Sequence, residues 1–426
     1  MTIVTVKPGD TLESIAGAYG AAPGLLAIWN EIETGETLVP GQSILILETD
    51  VLHTVRAGES IFSIASLYGI EPKKLLAFNP GLDGGYRELA IGQTLVISFA
   101  EENSYPMRVN GYAYPFIREE VLLYSLPYLT YLAPFTYGFT ESGTLIPLDD
   151  ERLLAAARDY GVSPLLHLST LTESGNFSDT LATTVLRSPT AEASLIENVI
   201  ATAIAKGYGG IDVDFEFLGA ENALPYADFI ARLRERANAV GLTVLVALAP
   251  KTSDTQSGIL YEGHNYRALG EAANAVFLMT YEWGYTYGPP MAIAPIGSVQ
   301  RVLDYAVTEI DPGKIFMGMP NYAYDWVLPY QQGETRATSI SNREAIQLAR
   351  RYGAEIQYDE TSQTPYFSYF ADDRTHEVWF EDARSVAAKL ELPPAYGFLG
   401  VGYWNVMRKF TQNWMILAVK YGIAAP

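Results

Sequence analysis

Between Gly207 and Glu216 the chain reads Gly-Tyr-Gly-Gly-Ile-Asp-Val-Asp-Phe-Glu, an apolar run broken by a carboxylate at every second position near its end. Side chains of an extended strand point alternately to its two faces, so Asp212, Asp214 and Glu216 share one face and Ile211, Val213 and Phe215 the other. The apolar face has to meet other apolar groups, which sends three acids into whatever the strand encloses. Anions crowded away from water lose hydration and repel one another, and the simplest relief is for one of them to keep its proton at neutral pH. No Lys or Arg stands within the segment to pair with them. A protonated carboxyl held inside a fold is a candidate general acid, and Glu216 occupies the carboxyl end of the run.

The surroundings say what kind of interior this is. From about residue 103 onward, apolar and β-branched runs alternate with helical stretches, the texture of parallel strands covered on both faces. Eight such runs stand out: Met107–Tyr114, Leu129–Phe139, Pro164–Ser169, Tyr208–Glu216, Leu242–Leu248, Asn274–Tyr281, Lys314–Tyr322 and Gly397–Trp404. Eight units in roughly 320 residues predict an α/β fold of the (β/α)8 barrel type, occupying 103–426, with the active site at the carboxyl ends of the strands. The stretch 327–394 is too long for one barrel helix. Gln357–Phe370 and Glu377–Phe380 read as strands within it, which predicts a small α+β insertion.

Ahead of the barrel the chain repeats itself. Pro8-Gly9-Asp10-Thr11-Leu12 through Tyr19-Gly20 realigns with Ala57-Gly58-Glu59-Ser60-Ile61 through Tyr68-Gly69, and Trp29-Asn30 with Phe78-Asn79, at a constant spacing of 49 residues. Each copy reads as strand, helix, helix, strand, with Asp10 and Glu13 spaced as a helix capping box and Gly20 and Gly69 placed as left-handed helix ends. Units at 1–48 and 50–98 follow. This pattern resembles the LysM domain, and the resemblance implies binding of N-acetylglucosamine-containing glycans, with a paired module gaining avidity on a polymer.

Composition narrows the partners. With 49 acidic against 28 basic residues the formal charge is −21, which disfavours nucleic acid and anionic lipid surfaces and leaves neutral sugars compatible. The 29 tyrosines and 6 tryptophans supply rings able to pack on a pyranose face, although most must serve the core. There is no Cys, and His53, His167, His264 and His376 are too scattered for a zinc site, so neither metal nor cofactor is expected. His167, on an apolar strand, reads as a satisfied core histidine. The start at Met1 shows no secretory leader and no apolar run nears the roughly 20 residues of a membrane span, so no membrane insertion is expected.

The carboxylate segment resembles glycoside hydrolase family 18, which carries D-G-x-D-x-D-x-E on its fourth strand. Gly210, Asp212, Asp214 and Glu216 match it, and Gly209 replaces the first Asp, which predicts an altered proton relay behind Asp214. Met279-Thr280-Tyr281-Glu282 resembles the family's M-x-Y-D, Gly318-Met319-Pro320-Asn321-Tyr322 its G-x-P-x-Y, and Trp404 its sugar-floor tryptophan. The family's S-x-G-G on strand three is not evident in Leu168-Ser169-Thr170-Leu171. The wording around Trp283, Met291 and Trp326 is most similar to the spore-cortex-lytic glucosaminidases of spore-forming bacteria. The resemblance implies a retaining hydrolysis of β-1,4 bonds in which the substrate's acetamido oxygen is the nucleophile, an exception to the two-carboxylate scheme. Glu216 would be the acid, Asp214 and Tyr281 would hold the acetamido group, and Trp404 would support the ring. Asp212, Tyr112, Asn321, Tyr322, Glu282 and Trp283 are the further candidates for substrate contact. The resemblance thus implies a spore-cortex peptidoglycan hydrolase with spore association; a chitinase or chito-oligosaccharide hydrolase and a catalytically decayed glycan-binding spore-coat protein stand as alternatives.

Overall fold

The computed structural model describes residues 1–82, 89–101, 105–172, 174–178 and 180–426. The domain start expected near residue 103 lies outside the described residues. Eight parallel strands close into a barrel: Arg108–Ala113, Tyr131–Pro134, Ser163–Ser169, Gly210–Asp214, Thr243–Leu248, Ala275–Leu278, Ile315–Pro320 and Gly400–Trp404. Each pairs with its sequence neighbour, and the last pairs with the first through Val401 opposite Val109. Burial on both faces accounts for the near-continuous apolar runs that marked these strands. The fourth strand shows the division of faces: Ile211, Val213 and Phe215 are fully buried toward the outer layer, where Phe215 stacks on Tyr226 and Phe229 of helix Ala223–Asn238 at 5.5 and 5.7 Å.

The strands are shorter than their apolar runs, and the excess forms the rim. The second ends at Pro134, and Gly138–Phe139 leaves the barrel to pair antiparallel with Leu145–Ile146. On the fourth and sixth strands, Glu216 and Tyr281 lie past the last ladder residue, Asp214 and Leu278, where their side chains are free of the sheet.

From the seventh strand the chain enters a five-stranded sheet, Ala323–Leu328, Thr338–Ile340, Gln357–Asp359, Thr364–Ala371 and Arg374–Trp379, backed by helix Asn342–Tyr352. Helices Ala383–Leu390 and Leu392–Tyr396 then lead to the eighth strand. The run Gln357–Phe370, expected as one strand, is a hairpin. Asp359 accepts the amides of Thr361 and Ser362 at 3.3 and 3.0 Å, and Gln363 turns the chain at φ 49°. Local side-chain bonding of an Asp to the backbone two and three residues on outcompetes strand extension there.

Each amino-terminal repeat pairs its outer strands antiparallel, Thr2–Thr5 with Ser43–Ile46 and Thr49–Thr54 with Thr94–Phe99.

 The second strand of the second ladder runs Thr94–Phe99. The helix starts differ from the expected capping box. Thr11 and Ser60 are the caps, each bonded to Ser14 or Ser63 three residues on, while Asp10 instead accepts the amide of Lys7 at 2.7 Å. A hydroxyl one residue later meets the free helix amides better, because the Asp10 carboxylate is already spent on the preceding turn. Gly20 and Gly69 end these helices in the left-handed region, both at φ 66°. Asn30 and Asn79 repeat one clamp: each Nδ2 donates to a helix carbonyl and a strand carbonyl, and each Oδ1 accepts a strand amide, all at 2.7 to 2.8 Å.

The repeats are packed into the barrel's flank. Gln412 donates to Asn30 and to the Ser43 carbonyl at 2.8 and 3.0 Å, Ile356 N to the Pro40 carbonyl at 2.9 Å, and Tyr128 to the Ala77 carbonyl at 2.9 Å. Phe99 bridges the two copies, its ring 5.8 Å from Trp29 and 5.0 Å from Phe78. The crevice between Asn30, Gln42, Asn342 and Gln412 leaves only about 20 Å³, room for about one water, so the contact is close. Among the described residues no helix is long and apolar enough to cross a membrane.

The Asn clamp can be tested. Asn79→Ala strips the Val96 amide and the Leu75 and Val96 carbonyls of their partner; at about 1–3 kcal/mol for buried groups so orphaned, amide exchange in the strand Thr94–Phe99 should speed up about 10- to 100-fold. Exchange at the parent rate would show that the clamp bears no load.

Candidate active site

The acids of the fourth strand climb from a sealed floor to an open cavity. Asp212, opposite His167 in the parallel register, is fully buried and neither carboxyl oxygen has a hydrogen-bond partner among the described residues. Burial pushes its pKa up to about 6, with repulsion from Asp214 adding to the effect and His167 and Tyr112 easing it. Asp214 stands above, 17% exposed, with Oδ2 at 3.6 Å from Nε2 of His167. The other ring nitrogen of His167 is bonded to Thr136 Oγ1 at 2.6 Å, which holds the imidazole in place. Glu216 crowns the series. Desolvation, then the charges of Asp214 and Glu282, push its pKa up to about 8, so it carries a proton at neutral pH.

These groups open into a cavity of about 320 Å³ walled by Tyr112, Phe135, His167, Asp214, Glu216, Tyr281 and Trp404. The rings interlock: Trp404 lies 4.9 Å from Phe135 and 5.8 Å from Tyr112, and Tyr112 lies 5.3 Å from Phe277. Burial beside the carboxylates raises the Tyr112 and Tyr281 hydroxyls far above the ordinary range, so both stay neutral donors. Among the described residues His167 is the only basic side chain at ion-pair distance from the three acids.

Not every candidate faces this cavity. Glu282 is on its wall, in a left-handed backbone conformation at φ 67°, and its carboxylate accepts hydrogen bonds from Tyr322 and, at 3.0 Å, from Tyr324. Tyr322 therefore braces Glu282 and lines a neighbouring recess. Asn321 is buried and its amide donates to the Asn405 and Arg408 carbonyls at 2.9 and 3.0 Å, tying down the loop after Trp404. Trp283 packs half-buried against the core, outside the cavity wall, with its amide on the Ile293 carbonyl at 3.0 Å. Asp212 contributes from beneath and does not reach the cavity surface.

His167, expected as a satisfied core histidine, is buried and hydrogen-bonded, and it also lines the cavity: strand alternation puts His167 and Ser169 on the inner face, a signal that the apolar neighbours Leu166 and Leu168 masked. Gly209 stands just before the strand Gly210–Asp214, and an added Cβ there would fall 2.1 Å from Ser163 Oγ. Asp214 and Asp212 both stand behind Glu216 on the inner face. Phe135 and Thr136, expected within the strand run Leu129–Phe139, fall instead in the loop after the second strand, which ends at Pro134, and that turn away from the ladder brings them to the cavity and to His167.

Residues 111–408 match glycosyl hydrolases family 18, and residues 4–46 and 53–98 each match the LysM domain. Over 429 residues the chain is 38% identical to the cortical fragment-lytic enzyme of Bacillus subtilis (strain 168), covering 99% of both. It is similar to the crystal structure of the Bacillus cereus spore cortex-lytic enzyme SleL, with a TM-score of 0.84, 36% identity, and coverage of 99% of this chain and 98% of that one. A chitinase from Chromobacterium violaceum shares the fold at a TM-score of 0.68 and 26% identity over 73% of this chain and 98% of that one. With the acid strand, the closed barrel and the aromatic cavity in place, the chain belongs to glycosyl hydrolases family 18: it is a glycoside hydrolase carrying two LysM domains.

Proposed function

We propose that this chain hydrolyses spore-cortex peptidoglycan, cutting the β-1,4 bond after N-acetylglucosamine with retention of configuration, and that the LysM pair holds it on the glycan. The observation that carries the reading is Glu216, a carboxyl kept protonated by burial and by two neighbouring acids at the wall of a ring-lined cavity. The relatives' names, cortical fragment-lytic enzyme and spore cortex-lytic enzyme, support the choice of substrate and an association with the spore.

The chemistry runs in two steps. Glu216 gives its proton to the glycosidic oxygen as the C1–O bond breaks, while the acetamido carbonyl oxygen of the same sugar closes on C1 to form an oxazolinium ion. Asp214, beside His167, offsets the positive charge that develops on the acetamido nitrogen, and the neutral Tyr281 hydroxyl donates to the acetamido oxygen. Trp404 supports the distorted ring. Glu216, now a carboxylate, takes a proton from water; the water oxygen attacks C1, the oxazolinium opens, and the acid is restored. The chitinase reading draws on the same cavity, since both polymers place N-acetylglucosamine at the cleaved position.

Four outcomes are expected. Glu216→Gln should lower kcat on cortex fragments by about 10²- to 10⁴-fold with sacculus pull-down intact, and a variant retaining parental turnover would remove Glu216 from the mechanism. The raised pKa of Glu216 keeps the acid protonated at neutral pH, so kcat/KM should fall as pH rises through about 8. Because the Glu282 charge contributes to that rise, Glu282→Gln should move this alkaline limb to lower pH; an unmoved limb would assign it to another group. Parallel product analysis on cortex fragments and chitin oligomers separates the substrates, and turnover of chitin alone would overturn the peptidoglycan assignment.

A further inference from the structure

Two recesses continue the catalytic cavity across the barrel mouth. The first, about 240 Å³, shares Tyr114 and Trp404 with the cavity and adds Phe116 and Arg408. The second, about 540 Å³, shares Met407 and Arg408 with the first and reaches Glu31 and Glu33 of the first repeat and Pro80 and Gly81 of the second. The shared walls make one groove, leading from Glu216 past Trp404 to the cleft between the LysM copies and the barrel. Its near end offers a ring face: Tyr114 and Phe116 stack at 5.1 Å and 22°, with Phe116 75% exposed. Exposed stacked rings beside a sugar cavity suit a further pyranose.

The middle of the groove is cationic in a chain whose formal charge is −21. Arg408 stands where the two recesses meet. Its guanidinium donates to Ser339 Oγ, the Ser339 carbonyl and the Ile340 carbonyl at 3.0, 3.1 and 2.9 Å. Three of the five guanidinium protons are thereby used and two are left. The other groove arginines are spent on acids, Arg343 on Glu33 and Arg118 on Glu120, whereas Arg408 has no carboxylate at ion-pair distance among the described residues. Burial pulls its pKa below the usual range, with Glu344 only partly offsetting the loss of hydration. A half-buried cation, oriented by three bonds yet lacking an anion, costs stability unless a ligand supplies one. A chitin chain is neutral. Peptidoglycan carries carboxyls on alternate sugars, on the lactyl group or on the peptide stem attached to it.

We propose that this groove is the track for the glycan beyond the cleaved residue, and that the Arg408 fork seats a carboxylate borne by a muramoyl sugar, so that Arg408 selects peptidoglycan over chitin. The assignment rests on the peptidoglycan reading above.

The test uses the full chain and three soluble tetrasaccharides of alternating N-acetylglucosamine and muramic acid: one with free lactyl carboxyls, one with those carboxyls amidated, and one with an alanyl stem. For the parent protein, amidation should raise KM about tenfold with kcat nearly unchanged, as expected for loss of one charge-assisted fork. Arg408→Gln should bind the acid and the amide alike, and the alanyl substrate shows which carboxyl is seated: parity with the free acid assigns the stem, parity with the amide the lactyl group. Arg408→Lys, which keeps the charge without the planar fork, should retain a smaller preference for the acid and serves if the Gln variant does not fold. An amidation penalty equal in parent and Arg408→Gln, or no penalty in the parent, overturns the Arg408 assignment alone. A parent that cleaves none of the three but cleaves tetra-N-acetylchitotetraose overturns the peptidoglycan reading and this inference with it.

Discussion

Three carboxylates share the inner face of one strand, and the closed barrel keeps water from the lowest of them. That constraint organises the site. Each carboxylate taken out of water loses hydration worth several kcal/mol, and the fold distributes the loss unequally along the strand. Asp212 is sealed, Asp214 borrows the imidazole of His167, and Glu216 faces the cavity and holds a proton. The outer face anchors this arrangement. Phe215 stacks on the rings of Tyr226 and Phe229, which holds the strand's outer face against the helix.

The rim loops lock together around that strand. Past the last ladder residues, Phe217 and Glu282 adopt left-handed backbone conformations, at φ 57° and 67°. Side-chain-bearing residues occupy this region at a cost of order 1–3 kcal/mol each, and both lie on the cavity wall. Tyr322 and Tyr324 hold the Glu282 carboxylate, and Asn321 ties the chain after Trp404 to the seventh strand. Residues behind the cavity wall thus brace the loops that carry Glu282 and Trp404. The LysM pair belongs to the same framework: Gln412, in the helix after the eighth strand, bonds directly to the Asn30 clamp of the first repeat. A module docked so closely presents its glycan surface in a set relation to the barrel mouth.

Much of this was legible in the residues. The eight apolar runs all became barrel strands, because parallel strands buried on both faces leave a continuous apolar signature. The 49-residue repeat marked two copies whose equivalent asparagines make the same three bonds. The hairpin at 357–371 was less legible, since the Asp359 turn interrupts an otherwise strand-like run. Trp283 and Asn321 read as sugar contacts by their neighbours in sequence, yet their side chains turn to packing and to a loop clamp.

Strand parity is a local property, and from it follows the shared inner face of Asp212, Asp214 and Glu216, while the eight apolar runs by themselves marked the barrel. The partnership of His167 with Thr136 and Asp214, the ring wall that includes Phe135, the bracing of Glu282 by Tyr322 and the groove past Arg408 join residues far apart in the chain. Only closure of the barrel brings those strand ends and loops to one place, because which loops meet is decided by how eight strands and the two repeats pack, and no spacing along the chain encodes it.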